Sequence, residues 1–146
     1  MCIEKTPWEQ VIEFHGHTCA EIALGYRVAQ IANRELGVSE IIEPLIKVTA
    51  YTHSCALDAF QIINRATYGR NYLFVVEQNI HSYVFQTKDS AEELQITVRS
   101  EIIEQVTEAV ESLSSRERQA KTLEAIKIIL GTEETQFCEV KHKPQP

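Results

Sequence analysis

Apolar residues recur along this chain with two periods, near 3.6 and near 2, and their succession predicts the elements. Trp8, Val11, Ile12 and Phe14 fit a short helix with Pro7 at its first position. Thr18 to Glu21 has the spacing of a capping box. From Cys19 the residues Ile22, Ala23, Tyr26, Ala29, Ile31 and Ala32 trace one face of a longer helix, and Gly37 stops it. Leu45 to Tyr51 is rich in β-branched residues and reads as a strand. Ser54 then caps a helix from Cys55 to Ala66, with Leu57, Ala59, Phe60, Ile62 and Ile63 on its apolar face. Three strands follow over Tyr72 to Glu77, His81 to Thr87 and Leu94 to Arg99. Two amphipathic helices, Ile102 to Leu113 and Arg116 to Leu130, come next, the second ending at Gly131. Phe137 to Val140 is either a docking tail or a short edge strand. This order predicts an α+β fold: a single domain over residues 1–146, with an antiparallel sheet packed against helices.

Composition agrees with one globular domain. The chain has 146 residues, 44% hydrophobic and 24% charged, enough for a core. No apolar run reaches the ~18 residues of a membrane span, and Met1-Cys2-Ile3-Glu4-Lys5 lacks the apolar stretch of a signal peptide. The expectation is a cytoplasmic protein with reduced thiols. A formal net charge of −7 argues against nucleic acid and anionic membranes as partners.

The chemistry is concentrated in two short clusters. Phe14-His15-Gly16-His17-Thr18-Cys19 places two imidazoles and a thiol within five residues, and His53-Ser54-Cys55 repeats the pairing, with Asp58 behind it. Imidazole and thiolate together select zinc and related transition metals. The spacing matches no zinc finger, and no C-x-x-C is present, so a site from these residues exists only once the chain folds. Cys19 and Cys55 both fall at predicted helix starts, where free amides and the helix dipole favour a thiolate. His17 and Cys19 are the firmer ligands of the first cluster. His15 is either a further histidine ligand or a donor that holds one, and Asp58 is placed to orient a ligand histidine or to compensate the helix dipole. His53 either joins the site or points away. Cys2 and Cys138 read as small packed residues, His81 and His142 as solvated or packed, and Tyr26, Tyr51 and Tyr68 as packing. Arg27 is an anion anchor or a salt-bridge partner.

These residues carry a family resemblance. Phe14-His15-Gly16-His17-Thr18-Cys19 with Leu24-Gly25-Tyr26-Arg27 resembles the F-H-G-H-x-C…G-x-R signature of the FmdE family, which takes its name from a component of formylmethanofuran dehydrogenase. Cys55-Ala56-Leu57-Asp58-Ala59-Phe60-Gln61 is similar to its C-x-x-D-A-[IVF]-Q helix, Thr67-Tyr68-Gly69-Arg70-Asn71 to its T-x-G-[KR]-x-N turn, and Phe137-Cys138-Glu139-Val140 to the F-x-x-[KV] close of its core domain. The resemblance implies an α+β core that forms a homodimer. It implies a metal, zinc before other divalent transition metals, held by His17, Cys19 and Cys55, with His15 and Asp58 near them. It also implies association with a molybdenum or tungsten oxidoreductase system. Three departures stand out. Ala20-Glu21 replaces the Pro-Gly that usually follows the first cysteine. Arg65-Ala66-Thr67 lacks a cysteine often found before the glycine turn. Glu77-Gln78-Asn79-Ile80 replaces a D-x-G-K pattern. The C-terminal zinc finger of some members is not expected after Cys138.

Three functions are compatible with this reading. One is a metal-binding accessory protein with a closed, four-coordinate site. Another is a small metalloenzyme whose open site uses Asp58, Glu21 or His15 as general base. The third is a metal-free redox protein with a reactive thiol at Cys19 or Cys55. Counting His17, Cys19 and Cys55 points to an open three-ligand site. Whether the chain is an enzyme, and whether His15, His53 or a second subunit completes the site, stays open at this level.

Overall fold

A computed structural model describes residues 5–37, 45–87, 92–106 and 114–144. In chain order the elements are α1 (Pro7–His15), α2 (Ala20–Leu36), β1 (Ile46–Ala50), α3 (Ala56–Ile63), a 3-10 turn at Tyr68–Arg70 and β2 (Leu73–Val75). β3 (Ser82–Thr87), β4 (Glu92–Val98), α4 (Ser100–Val106), α5 (Ser115–Gly131), α6 (Glu134–Phe137) and β5 (Cys138–Pro144) complete them. The five strands form one sheet in the order β2-β1-β3-β4-β5. The architecture is α+β, as the element order predicts.

Alternation along the strands decides which face is covered. Ile46, Val48 and Ala50 of β1 are buried and pair in register with Thr87, Phe85 and Tyr83 of β3. Phe85 in turn lies opposite Leu94 and Tyr83 opposite Ile96 of β4. Phe60 of α3 meets this face, its ring centre 4.8 Å from that of Tyr83 and 5.6 Å from that of Phe85. All three rings are fully buried, and truncating one to alanine costs about 3–5 kcal/mol.

The position of the site is set by how α2 meets α3. A Cβ added at Gly25 would lie 2.5 Å from the Ala56 carbonyl oxygen and 2.6 Å from its Cα, so the two backbones touch where only glycine allows it. Further along, the buried Asn64 at the end of α3 donates from Nδ2 to the Ala29 carbonyl (3.0 Å) and to Asn33 Oδ1 (2.7 Å). Asn33 donates back to the Ile63 carbonyl (3.1 Å). Start therefore meets start and end meets end. The two helices run in the same direction, with Cys19 and Cys55 at adjacent N-termini.

Several expectations are corrected. The capping box lies at Thr6 and Glu9, where the Glu9 amide donates to Thr6 Oγ1 (3.2 Å) and the Thr6 amide to the Glu9 carboxylate (3.3 Å). At the start of α2 the capping residue is Cys19, and no side chain caps it. The third helix stops at Ile63 because the chain turns through Arg65 at φ 57°. β2 is parallel to β1, so the sheet is mixed rather than wholly antiparallel. Of the two alternatives expected for the tail after Phe137, the edge strand holds, running antiparallel to β4 over seven residues. The later part of the predicted 102–113 helix, and Cys2, lie outside the described residues.

Candidate metal centre

α1 ends at His15, and Gly16 adopts a left-handed conformation (φ 95°) as its amide closes on the Ile12 carbonyl (2.8 Å). This turn reverses the chain, so His17 lies beside His15, with ring centres 4.4 Å apart. Two residues later Cys19 opens α2. One ligand atom each from His15, His17, Cys19 and Cys55 falls within 4.8 Å of the others. His15 Nε2 and Cys19 Sγ are 3.7 Å apart. His17 is exposed, and the other three are partly buried.

His15 is held from behind. Its Nδ1 donates to Asp58 Oδ2 at 2.7 Å, which places the ring proton on Nδ1 and leaves the Nε2 lone pair facing the cluster. Asp58 is itself fixed, because Gln61 donates from Nε2 to its other oxygen (3.2 Å) and accepts the Tyr68 amide (3.2 Å). A chain of four groups thus runs from the 3-10 turn to the imidazole. His15 Nε2 therefore lies among the four converging atoms.

The two thiols face each other in partial burial. Burial, the neighbouring Cys19 sulfur, and the charges of Glu21 and Asp58 push the Cys55 thiol up to about 12. That direction runs against the thiolate expected at the start of α3, because burial and negative neighbours disfavour the charged form. A cation between the sulfurs reverses that balance.

The remaining candidates sort by position. His53 stays outside the four-atom set. Its amide donates to Glu77 Oε1 (3.1 Å), which also accepts from the Thr52 hydroxyl, while Glu77 Oε2 takes the Asn79 amide (2.8 Å). Glu77, which stands where the family pattern has D-x-G-K, thus pins the loop before Cys55. Glu21 is exposed at the start of α2 and outside the set. Both His53 and Glu21 line an open cleft of about 490 Å³ together with His15, Cys55, Tyr68 and Val75. Tyr68 is 74% exposed, so it forms a cleft wall instead of packing. Arg27 donates to the Ile129 carbonyl (2.6 Å) and lies 4.6 Å over the Phe137 ring, tying α2 to α5 and α6; it is no free anion anchor. Cys138 is buried, as expected, and burial pushes its thiol up to about 11. His81 is half-buried against the Tyr83 hydroxyl (3.0 Å), and His142 faces Glu35 (3.2 Å). Neither periodicity nor ligand chemistry marks Gly25 and Gln61 as functional positions. Their places in the family motifs are the only signal for them.

Among the described residues no helix is long and apolar enough to cross a membrane. A solved structure similar to this one is a tungsten formylmethanofuran dehydrogenase FmdE-like protein from Syntrophus aciditrophicus, with TM-score 0.61 and 15% identity, covering 94% of this chain and 70% of that one. At that identity the likeness concerns the fold alone. A stretch of 70 residues is 34% identical to a probable S-adenosyl-L-methionine-binding protein of Archaeoglobus fulgidus, covering 44% of this chain and 19% of that relative. The chain thus spans about a fifth of that relative's length. The model of the family described as FmdE, molybdenum formylmethanofuran dehydrogenase operon, matches residues 14–139. With that match over most of its length, and the His-x-His-x-Cys turn and the cysteine at the start of α3 gathered in one place, the chain belongs to the FmdE family.

Proposed function

We propose that this protein binds one divalent transition metal, zinc before others, through His15 Nε2, His17, Cys19 and Cys55. In this reading it serves in the cytoplasm as an accessory to a larger oxidoreductase of the molybdenum or tungsten formylmethanofuran dehydrogenase kind. The observation that carries the reading is the convergence of four donor atoms within 4.8 Å from three separate segments. Two imidazoles and two thiolates are a zinc-type set, and four donors make a closed site, in place of the open three-ligand site expected from sequence. A bound divalent ion supplies positive charge that neutralises two thiolates and polarises whatever touches it.

The chain's own residues do the rest. Asp58 holds the His15 proton at Nδ1 and keeps Nε2 free. Gln61 and the Tyr68 amide hold Asp58. The Gly25–Ala56 contact sets the separation of the two cysteines. Association with the family's oxidoreductase system is supported by family membership alone.

A second reading is favoured by one observation. The cleft opens on His15 and Cys55, so a small molecule can approach the site, with Glu21 as the exposed carboxylate beside it. In this alternative the protein is a small metalloenzyme, and Glu21 or Asp58 handles a proton.

Cobalt(II) substitution tests the donor set. The expected spectrum has thiolate-to-cobalt charge-transfer absorption that weakens in Cys19→Ser and in Cys55→Ser and vanishes in the double variant. A cobalt spectrum without thiolate bands, or one unchanged in both variants, sinks the assignment.

A further inference from the structure

Two of the four converging groups are thiols, and their geometry suits a second chemistry. Cys19 Sγ and Cys55 Sγ both belong to the set of mutually close donor atoms, so the sulfurs are at most 4.8 Å apart. Both cysteines are free. Each stands at the N-cap of its helix, and neither side chain makes a capping hydrogen bond. A disulfide needs its sulfurs at about 2.05 Å. With no cap to tether either sulfur, a change of rotamer at the two cysteines covers the difference. The helices that carry them are already in backbone contact at Gly25 and Ala56, so closure is a matter of side chains.

Access decides which sulfur reacts first, and with what. Cys55 lines the open cleft, and Cys19 is not among its lining residues. A reagent in the cleft therefore meets Cys55. The lining includes the carboxylates Glu21 and Asp58 and neither lysine nor arginine. It favours a small neutral oxidant over an anionic one such as oxidised glutathione. Cys138, 3% exposed, is out of reach.

We propose that Cys19 and Cys55 form a reversible disulfide on reaction with a neutral hydroperoxide, and that this bond empties the metal centre. The Cys55 sulfur attacks one peroxide oxygen, the O–O bond breaks, and the departing hydroxide takes a proton to become water. The Cys19 sulfur then attacks Cys55 Sγ, the S–OH bond breaks, and a second water leaves. In total two thiolates, one hydrogen peroxide and two protons give one disulfide and two waters, with two electrons passing from sulfur to oxygen. A disulfide sulfur carries no negative charge for a cation. His15 and the exposed His17 remain, half of a four-donor zinc set. A dithiol reductant restores both thiols. The disulfide stands on the geometry of the two sulfurs alone; the release of metal rests on the metal centre proposed above.

The test uses the full chain with Cys2→Ser and Cys138→Ala, which leaves Cys19 and Cys55 as its only thiols. Metal per chain is measured first. Hydrogen peroxide is then added. Released metal is read with a chromophoric chelator, free thiols with a colorimetric reagent, and the link by mass spectrometry of unreduced peptides. The expected result is loss of both thiols to a Cys19–Cys55 bond within one chain, metal released in step, and recovery of thiols and metal binding after reduction. Adding Cys19→Ser should leave Cys55 as a sulfenic acid that dimedone traps. The same peptide mapping on the unsubstituted chain covers a background that does not fold. Oxidation that ends in sulfinic acids or in links between chains, with no Cys19–Cys55 bond, overturns the proposal. A linked chain that keeps its metal overturns the release. A chain that holds no metal at the outset and still forms the bond upholds the disulfide and sinks the metal centre instead.

Discussion

Gly25→Ala is the sharpest perturbation, because it acts on the metal centre without touching any ligand. The new methyl would lie 2.5–2.8 Å from the carbonyl oxygen, Cα and Cβ of Ala56, where ordinary contact begins at 3.4 Å. Two of those atoms are backbone, so the helices must part, by about 0.6–0.9 Å at the point of contact. Ala56 directly follows Cys55, and metal–ligand distances tolerate only about 0.2 Å. The displacement therefore exceeds that tolerance several-fold at one sulfur. Overpacking of this kind costs about 1–3 kcal/mol, which lowers Tm by roughly 2–12 °C in a chain of this size. Metal affinity should fall at least about tenfold, or ~1.4 kcal/mol. The assay is competition with a chromophoric chelator, alongside thermal melting of the metal-free protein. Gly131→Ala is the control, since nothing lies within 4 Å of its added Cβ, and at the end of α5 it should leave stability unchanged or raise it by up to about 1 kcal/mol. Wild-type metal affinity and melting in Gly25→Ala would refute the claim that this contact sets the site.

Other consequences follow from the same geometry. Cys19→Ser and Cys55→Ser should each lose bound metal while Cys138→Ser keeps it, as read by elemental analysis; equal retention in all three contradicts the ligand set. Asp58→Asn should lower metal affinity about 10–100-fold with little change in the fold, because a neutral amide oxygen holds the proton at His15 Nδ1 less strongly than a carboxylate does; an unchanged dissociation constant would show that His15 needs no charged support. Burial lowers the His81 pKa below its usual value of 6.5. Below pH 6.5 the unfolded chain therefore takes up a proton that the folded one does not. Stability should fall as pH drops through 6.5 and level off once the folded-state pKa is passed, and His81→Gln should flatten that part of the urea-midpoint profile; identical profiles would contradict the burial argument.

Where residues alternate cleanly, the elements are legible in the sequence. β3 and β4 follow from Tyr83, Phe85, Leu94 and Ile96, each of which pairs across one buried face. The capping box is not decided by spacing, because Thr18 with Glu21 and Thr6 with Glu9 are equally separated, and only the chain path determines which pair closes. The parallel pairing of β2 is not legible either, since three apolar residues specify a strand but not the direction of its neighbour. At the site the two cysteines and His17 are readable from residue chemistry. An extended segment would leave His15 less firmly placed than these, whereas helix α1 runs to His15 and the Gly16 turn folds the chain back. The contact between Gly25 and Ala56 has no local signature, because it depends on which helix lies against α2.

The measurement that bears most directly on the metal centre is metal per chain in untagged protein purified under reducing conditions. The convergent donor set predicts about one divalent transition metal per chain. No metal, even after reconstitution with zinc in the presence of reductant, would contradict it and leave the four convergent side chains as packing alone.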